Sequence, residues 1–285
     1  QLRSIFAEPS YFGIFAGFCI PFLWYCINNM KNKITYTIVF LIIAFLVFLS
    51  QARTATALLF GEIGLLFLVL LYFRDKLMLK TVFLVCLSTN IAFFSANYFL
   101  NNFVDNIFVQ NNNNAESYLD KNFFSIFSNN KRSNSARYAY IKSAFRVGLD
   151  NPVFGVGREL TATYINDYFT ADEIEVKEIQ LRFKRQQELG VLKAGMPILC
   201  EYARRFVETG IVGCIIYFAP LLYLLYGLLK KLRNLQYEYL FYMISLAGIL
   251  VSGFSLELTG TYYYWVLLGL GYAMCFGKET KEQNV

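Results

Sequence analysis

Apolar blocks of roughly 17 to 24 residues alternate with short polar connectors along much of the chain, and that block length is what an α-helix needs to cross about 30 Å of hydrocarbon. Spans are predicted at about Tyr11–Ile27, Ile34–Ser50, Thr54–Phe73, Thr81–Leu100, Phe206–Leu229, Glu238–Leu256 and Thr261–Phe276. The pattern predicts an all-α integral membrane protein, a polytopic helical bundle of about seven spans with one large, partly helical loop. Residues 1–100 carry spans one to four, 101–205 form the loop, and 206–285 carry spans five to seven and a tail.

The connectors give this bundle a direction. Lys31 and Lys33, then Arg74, Lys76 and Lys80, then Lys230, Lys231 and Arg233, then Lys278 and Lys281 fall on every second connection, which marks one face as cytoplasmic. The Gln51–Arg53 turn, the large loop and the Ser255–Gly260 turn then lie on the opposite, extracytoplasmic face. A chain that starts outside with an odd number of spans is expected to continue beyond its first residue.

Inside the loop, the Asn-rich tract from Asn101 to Asn114 reads as an irregular connector. From Arg137 onward, Tyr138, Ile141, Phe145 and Leu149 recur at helical spacing, with Lys142 and Arg146 on the polar side, until Asn151-Pro152 stops the run. This predicts an amphipathic helix at the membrane surface. A second helix is expected from Asp172 and Glu173, with Val176, Ile179 and Phe183 on one face, up to Gly190.

Composition agrees: 285 residues, 56% of them hydrophobic, with mean hydropathy +0.42, do not fit an ordinary soluble domain. The net charge of +6 sits in connectors and in a loop that also carries acids, so it argues for membrane orientation and against nucleic acid. Five of the six cysteines fall in apolar blocks, Cys200 stands alone, and no CxxC pair occurs, so neither a disulfide framework nor a zinc site is indicated. Histidine is absent, which removes the commonest general base from any mechanism.

Four features carry candidate chemistry. Arg53, in a turn at the outer boundary, suits either a forked contact to a phosphate or an anchor snorkelling to the interface. Glu62, about two turns into the next span, marks either a catalytic carboxylate or a structural partner, because an ionisable group at that depth costs several kcal/mol unless paired or hydrated. Arg204 and Arg205 follow Pro197 on an expected helix, where Glu201–Arg205 and Arg204–Glu208 pair at i,i+4. Two adjacent arginines beside a bilayer also suit an anionic lipid headgroup. Asn151-Pro152-Val153-Phe154-Gly155-Val156-Gly157-Arg158 is a Gly-rich turn, read as an anion nest or a simple chain reversal; no Gly-Lys-Ser/Thr follows it, so it is not a P-loop.

Together these segments resemble the O-antigen polymerase (Wzy) and O-antigen ligase superfamily: Arg3-Ser4-Ile5-Phe6-Ala7-Glu8-Pro9-Ser10, the Ser50–Thr54 arginine turn, Asn151–Gly157, and Phe206-Val207-Glu208-Thr209-Gly210-Ile211-Val212-Gly213 as a Glu-x-Gly-x-x-Gly stretch. The resemblance implies a GT-C-like bundle in a bacterial inner membrane with a periplasmic loop, further spans before the Glu-Pro-Ser segment, and a polyprenyl-diphosphate-linked oligosaccharide as donor and acceptor. By the same resemblance Arg53, Arg137, Arg204, Arg205 and Arg3 hold the diphosphate, with Glu8 and Arg158 supporting; the attacking hydroxyl calls for a carboxylate base, for which Glu201, Glu208, Glu62 and Glu8 are candidates. Inversion at the anomeric carbon is implied, with a chain-length regulator and a flippase as partners; no metal and no cofactor are expected, because prearranged guanidinium groups can stabilise the departing charge.

Ligase members carry a histidine shortly before the Glu-x-Gly-x-x-Gly stretch, where this chain has Met196 to Glu201. A polymerase is therefore expected over a ligase. A transporter or flippase also suits Glu62, Asn90 and Asn97 with Pro21 and Pro220 inside spans, but it leaves the arginine-bearing loop unexplained. A non-catalytic scaffold is the third alternative.

Overall fold

The computed structural model describes residues 9–73, 76–100, 132–232 and 236–277, and every regular element among them is helical. Arg3, Glu8, the Asn-rich tract, and the connector residues Arg74, Arg233, Lys278 and Lys281 lie outside the described residues.

Every apolar block is a helix. These are α1 (Pro9–Asn29), α2 (Lys33–Leu49), α3 (Arg53–Phe73) and α4 (Lys76–Phe99), then α9 (Glu201–Leu232), α10 (Tyr237–Ser252) and α11 (Tyr262–Phe276). Between them run α5 (Arg132–Asp150), α6 (Thr161–Tyr164), a 3-10 turn (Ile165–Tyr168), α7 (Ala171–Ile174) and α8 (Lys177–Leu189). Among the described residues, Tyr11–Asn29, Leu79–Phe99 and Glu201–Leu232 are long and apolar enough to cross a membrane, and Lys33–Leu49 and Tyr237–Ser252 are apolar but shorter.

The chain forms two compact units, with the boundary inside α9. The first holds α1 to α4, α9 from Leu222 onward, α10 and α11; the second holds α5 to α8, α9 up to Leu221, and the Gly253–Gly260 turn. In the first unit large side chains interdigitate, with Trp24 edge-on to Phe40 at 5.9 Å and Phe48 edge-on to Phe93 at 5.4 Å. Three hydroxyls tie helix to helix. Thr81 donates to Asn28 Oδ1 at 2.7 Å, Ser245 to the Phe18 carbonyl at 2.9 Å, and Tyr242 to the Leu267 carbonyl at 2.7 Å. Such bonds matter where lipid tails, as apolar as the side chains, offer helices no hydrophobic reason to associate.

The second unit has its own core, built from Ala136, Ala139, Tyr140, Ala144 and Val147 of α5 with Ile165, Phe169, Ile179, Met196, Ile198 and Val207. The apolar stripe expected on α5 is not the face that packs into this core. Tyr138, Phe145 and Leu149 are 52%, 43% and 67% exposed, while the small alanines face inward, because only they allow α5 to approach the neighbouring segments closely. The helix expected from Asp172 to Gly190 is two helices, since Val176 takes an extended backbone that lets Ile179 turn into the core. Arg146 of α5 grips the first of them, donating to Glu173 Oε2 at 2.6 Å and Oε1 at 3.0 Å and to the Tyr168 carbonyl at 2.8 Å.

The 152–157 turn docks on α9. At Gly210 the backbone leaves the helical region, with φ 62° and ψ −167°, so carbonyls before the break and N–H groups after it lose their helical partners. The turn supplies them. Val156 N–H donates to the Val207 carbonyl and Gly157 N–H to the Glu208 carbonyl, both at 2.9 Å; Ile211 N–H donates to the Pro152 carbonyl at 2.8 Å and Val212 N–H to the Val153 carbonyl at 3.2 Å. A side chain on Gly155 (φ +67°) would meet Glu208 C, Thr209 N and the Val207 carbonyl at 2.5 to 2.6 Å, and one on Gly210 would collide with the Val153–Phe154 peptide.

Gly155→Ala and Gly210→Ala are each expected to destabilise the protein by about 3 kcal/mol, combining backbone overlap with positive φ, read as a fall in melting temperature of the detergent-solubilised protein. Glu173→Gln should cost about 1 kcal/mol, since its partner Arg146 is partly exposed. Burial works against the Glu173 charge, but the hydrogen bonds from Arg146 and the Thr170 N–H, with the guanidinium's charge, outweigh it and hold the carboxyl below its usual value. A depressed carboxyl stabilises above its unfolded value and loses that contribution as pH falls through its folded one. The melting-temperature gap between wild type and Glu173→Gln should accordingly be full at neutral pH and shrink below about pH 4.

Candidate functional site

The charged start of α9 projects beyond what a span requires. At 1.5 Å per residue, the stretch from Ile211 to Leu232 alone covers about 30 Å of hydrocarbon, which leaves Glu201 to Gly210 as a membrane-proximal segment with four charged side chains. The helix starts at Glu201, later than Pro197 suggests; residues 195–200 are irregular, and the Glu201 N–H donates to the Gly253 carbonyl at 2.8 Å.

Both expected intrahelical pairs are present. Arg205 Nε donates to Glu201 Oε1 at 2.8 Å and Arg204 Nε to Glu208 Oε1 at 2.9 Å. Arg205 Nη1 also stands 3.5 Å from Glu208 Oε2. The remaining partners come from the Gly253–Gly260 turn. Arg204 Nη1 donates to Glu257 Oε2, Arg205 Nη2 donates to Thr259 Oγ1 at 2.8 Å and lies 3.6 Å from Glu257 Oε1, and the Thr259 hydroxyl donates to Glu257 Oε1 at 3.2 Å. The Arg205 guanidinium lies over the Tyr217 ring, 5.5 Å from its centroid.

Exposure ranks the cluster. The side chains of Glu201 and Glu208 are 0% and 2% exposed, Arg205 and Arg204 11% and 20%, and Glu257 31%. Buried carboxylates need more than one partner: Glu201 Oε2 accepts the Leu258 N–H at 2.9 Å and Glu208 Oε1 accepts the Glu159 N–H at 3.3 Å, while Glu208 Oε2 is buried with only the charge of Arg205 nearby and no hydrogen bond. The two guanidinium groups are held side by side from their buried edges, and their Nη atoms reach the partly exposed Glu257 and the Thr259 hydroxyl.

Of the residues singled out from sequence, Glu201, Arg204, Arg205 and Glu208 come together. Arg158 is exposed and 3.8 Å from Glu159, whose backbone N–H reaches Glu208. Arg137 is half-buried on α5, away from this network of bonds. Arg53 and Glu62 belong to the first unit. Arg53 is the first residue of α3, after a turn in which Gln51 has φ 52° and the Ala52 N–H bonds Ser50 Oγ at 3.3 Å. Glu62 is 1% exposed and faces Gly17 and Gly248, where a side chain on Gly17 would come within 3.2 Å of its Oε1. Glu257 escaped the sequence reading. Its one signal is a carboxylate in a short turn between two apolar blocks, and no helical register links it to arginines more than 50 positions earlier.

The family model described as O-antigen ligase matches residues 38–218, from α2 into α9. It covers Arg53 and the arginine pair and stops before the Glu257 turn. No curated protein and no solved structure matches the chain. With more than half of its length inside the match, this helical membrane protein, of an enzyme class that handles lipid-linked oligosaccharides, belongs to the O-antigen ligase family.

Proposed function

We propose that the protein is a polysaccharide polymerase, which transfers a growing glycan from a polyprenyl-diphosphate donor to the lipid-linked acceptor repeat of an O-antigen or capsule. The observation that carries this reading is the Arg204/Arg205 pair, prearranged by buried carboxylates at the membrane-proximal start of α9. In the reaction an acceptor hydroxyl attacks the anomeric carbon, its new C–O bond forms with inversion, and the bond to the diphosphate breaks with its electron pair on the departing oxygen. Guanidinium groups already in place stabilise that charge without reorganising. Glu201 and Glu208 serve catalysis by fixing the arginines, and Arg53, Arg137 and Arg3 add phosphate contacts, with Glu8 and Arg158 in support and Glu62 organising the bundle.

The polymerase reading is preferred to a ligase because the chain holds no histidine before the Glu-x-Gly-x-x-Gly stretch. In this reading seven of the protein's spans lie within the chain, in a bacterial inner membrane. The second unit faces the periplasm, where undecaprenyl-linked repeats arrive from a flippase and a chain-length regulator acts.

The test is complementation of a polymerase-deficient strain with full-length protein at matched membrane expression. Arg204→Ala and Arg205→Ala should each lower ladder formation about 10² to 10³-fold, the range for removing one oxyanion-type donor, with single repeats retained. Arg53→Lys should also shorten the ladder, because a point charge cannot replace a forked contact, whereas an interfacial anchor tolerates it. A full ladder from the double arginine variant would sink the proposal, and solute flux without any ladder from wild type would favour transport.

A further inference from the structure

We infer that Glu257 is the general base of the transfer and that the donor diphosphate releases it, an assignment that rests on reading Arg204 and Arg205 as the diphosphate site. Three carboxylates share two guanidinium groups, and their surroundings differ. Glu201 is fully buried, with one oxygen taken by Arg205 and the other by the Leu258 N–H. Glu208 is 2% exposed; its Oε1 serves both Arg204 and the Glu159 N–H, and its Oε2, 3.5 Å from Arg205, makes no hydrogen bond but is buried out of reach. Neither presents an oxygen to a sugar. Glu257 is the most exposed of the three, sits on a turn, and is tied down by Arg204, the nearby Arg205 and the Thr259 hydroxyl.

A diphosphate arriving at the Nη edges competes with the carboxylates already there. Glu201 and Glu208 are locked by helical register and by backbone N–H groups, so Glu257 is the group that leaves. Exchange frees both Glu257 oxygens as acceptors beside the bound donor, which is where an incoming hydroxyl needs one. The acceptor oxygen then bonds the anomeric carbon, the bond from that carbon to the diphosphate oxygen breaks, the electron pair stays on the diphosphate held by the arginines, and the hydroxyl proton passes to Glu257. Before a donor binds, the base is engaged by the arginines. Activation of a nucleophile, water included, thus waits for the donor.

The test compares full-length wild type, Glu257→Gln and Glu257→Asp in detergent for binding of inorganic pyrophosphate, and in cells for glycan ladders. Glu257→Gln should bind pyrophosphate several-fold more tightly, having lost the competing charge, while ladder formation falls about 10²-fold or more; Glu257→Asp should recover part of the ladder. Weaker pyrophosphate binding would make Glu257 merely a positioning group for Arg204, and an undiminished ladder would remove it from the chemistry; either overturns the inference. Should Glu257→Gln fail to fold, Thr259→Val loosens the same resting contact and must tighten pyrophosphate binding, with no change counting against the proposal. Failure of the underlying reading looks different: wild type would not bind pyrophosphate, and the Arg204 and Arg205 variants would keep their ladders.

Discussion

The break of α9 at Gly210 leaves backbone groups without helical partners next to a segment built to cross hydrocarbon. An unpaired buried carbonyl or N–H costs about 1 to 3 kcal/mol in a protein interior, and more in lipid. The 152–157 turn answers four of these groups from Val207, Glu208, Ile211 and Val212. It gets close enough only because Gly155 and Gly210 carry no side chain where the two backbones meet. One interaction therefore ends the membrane-proximal helix segment, anchors the loop to it, and brings Glu159, two residues further on, to within hydrogen-bonding distance of Glu208.

That cluster makes physical sense only as a set. Two arginines beside a membrane would be poorly aimed if solvent and rotamer freedom held them, and two buried carboxylates would be costly if unpaired. Paired through helical register and bonded by the Leu258 and Glu159 N–H groups, Glu201 and Glu208 grip the inner edges of the guanidinium groups. The outer edges meet Glu257 and Thr259 on a turn that is more exposed. Rigid inner partners and an exchangeable outer one are what a site needs if it is to hold a diphosphate during bond cleavage and then let it go.

The core beneath the site follows a similar economy. Alanines line the inward face of α5 so that it can pack closely, and Arg146 reaches across to Glu173 and the Tyr168 carbonyl to fasten α7 and the preceding turn. The larger side chains Tyr138, Phe145 and Leu149 are left on the exposed side.

Sequence alone determined the helical class, the location of the apolar helices and the two intrahelical pairs, because block length and i,i+4 spacing are local properties that any helix must express. It also singled out the 151–158 turn and the Glu-x-Gly-x-x-Gly stretch, but as separate motifs. Only the tertiary structure joined them, since the hydrogen bonds between Val156 and Val207 or Gly157 and Glu208 follow no local period. The same holds for Glu257, whose partners lie 53 and 52 positions back in the chain, and for the inward face of α5, where close approach selected alanine over the bulkier stripe that periodicity favours. Which charges are buried, which are exposed and which can leave is a property of how distant segments pack, and it is there that the site was decided.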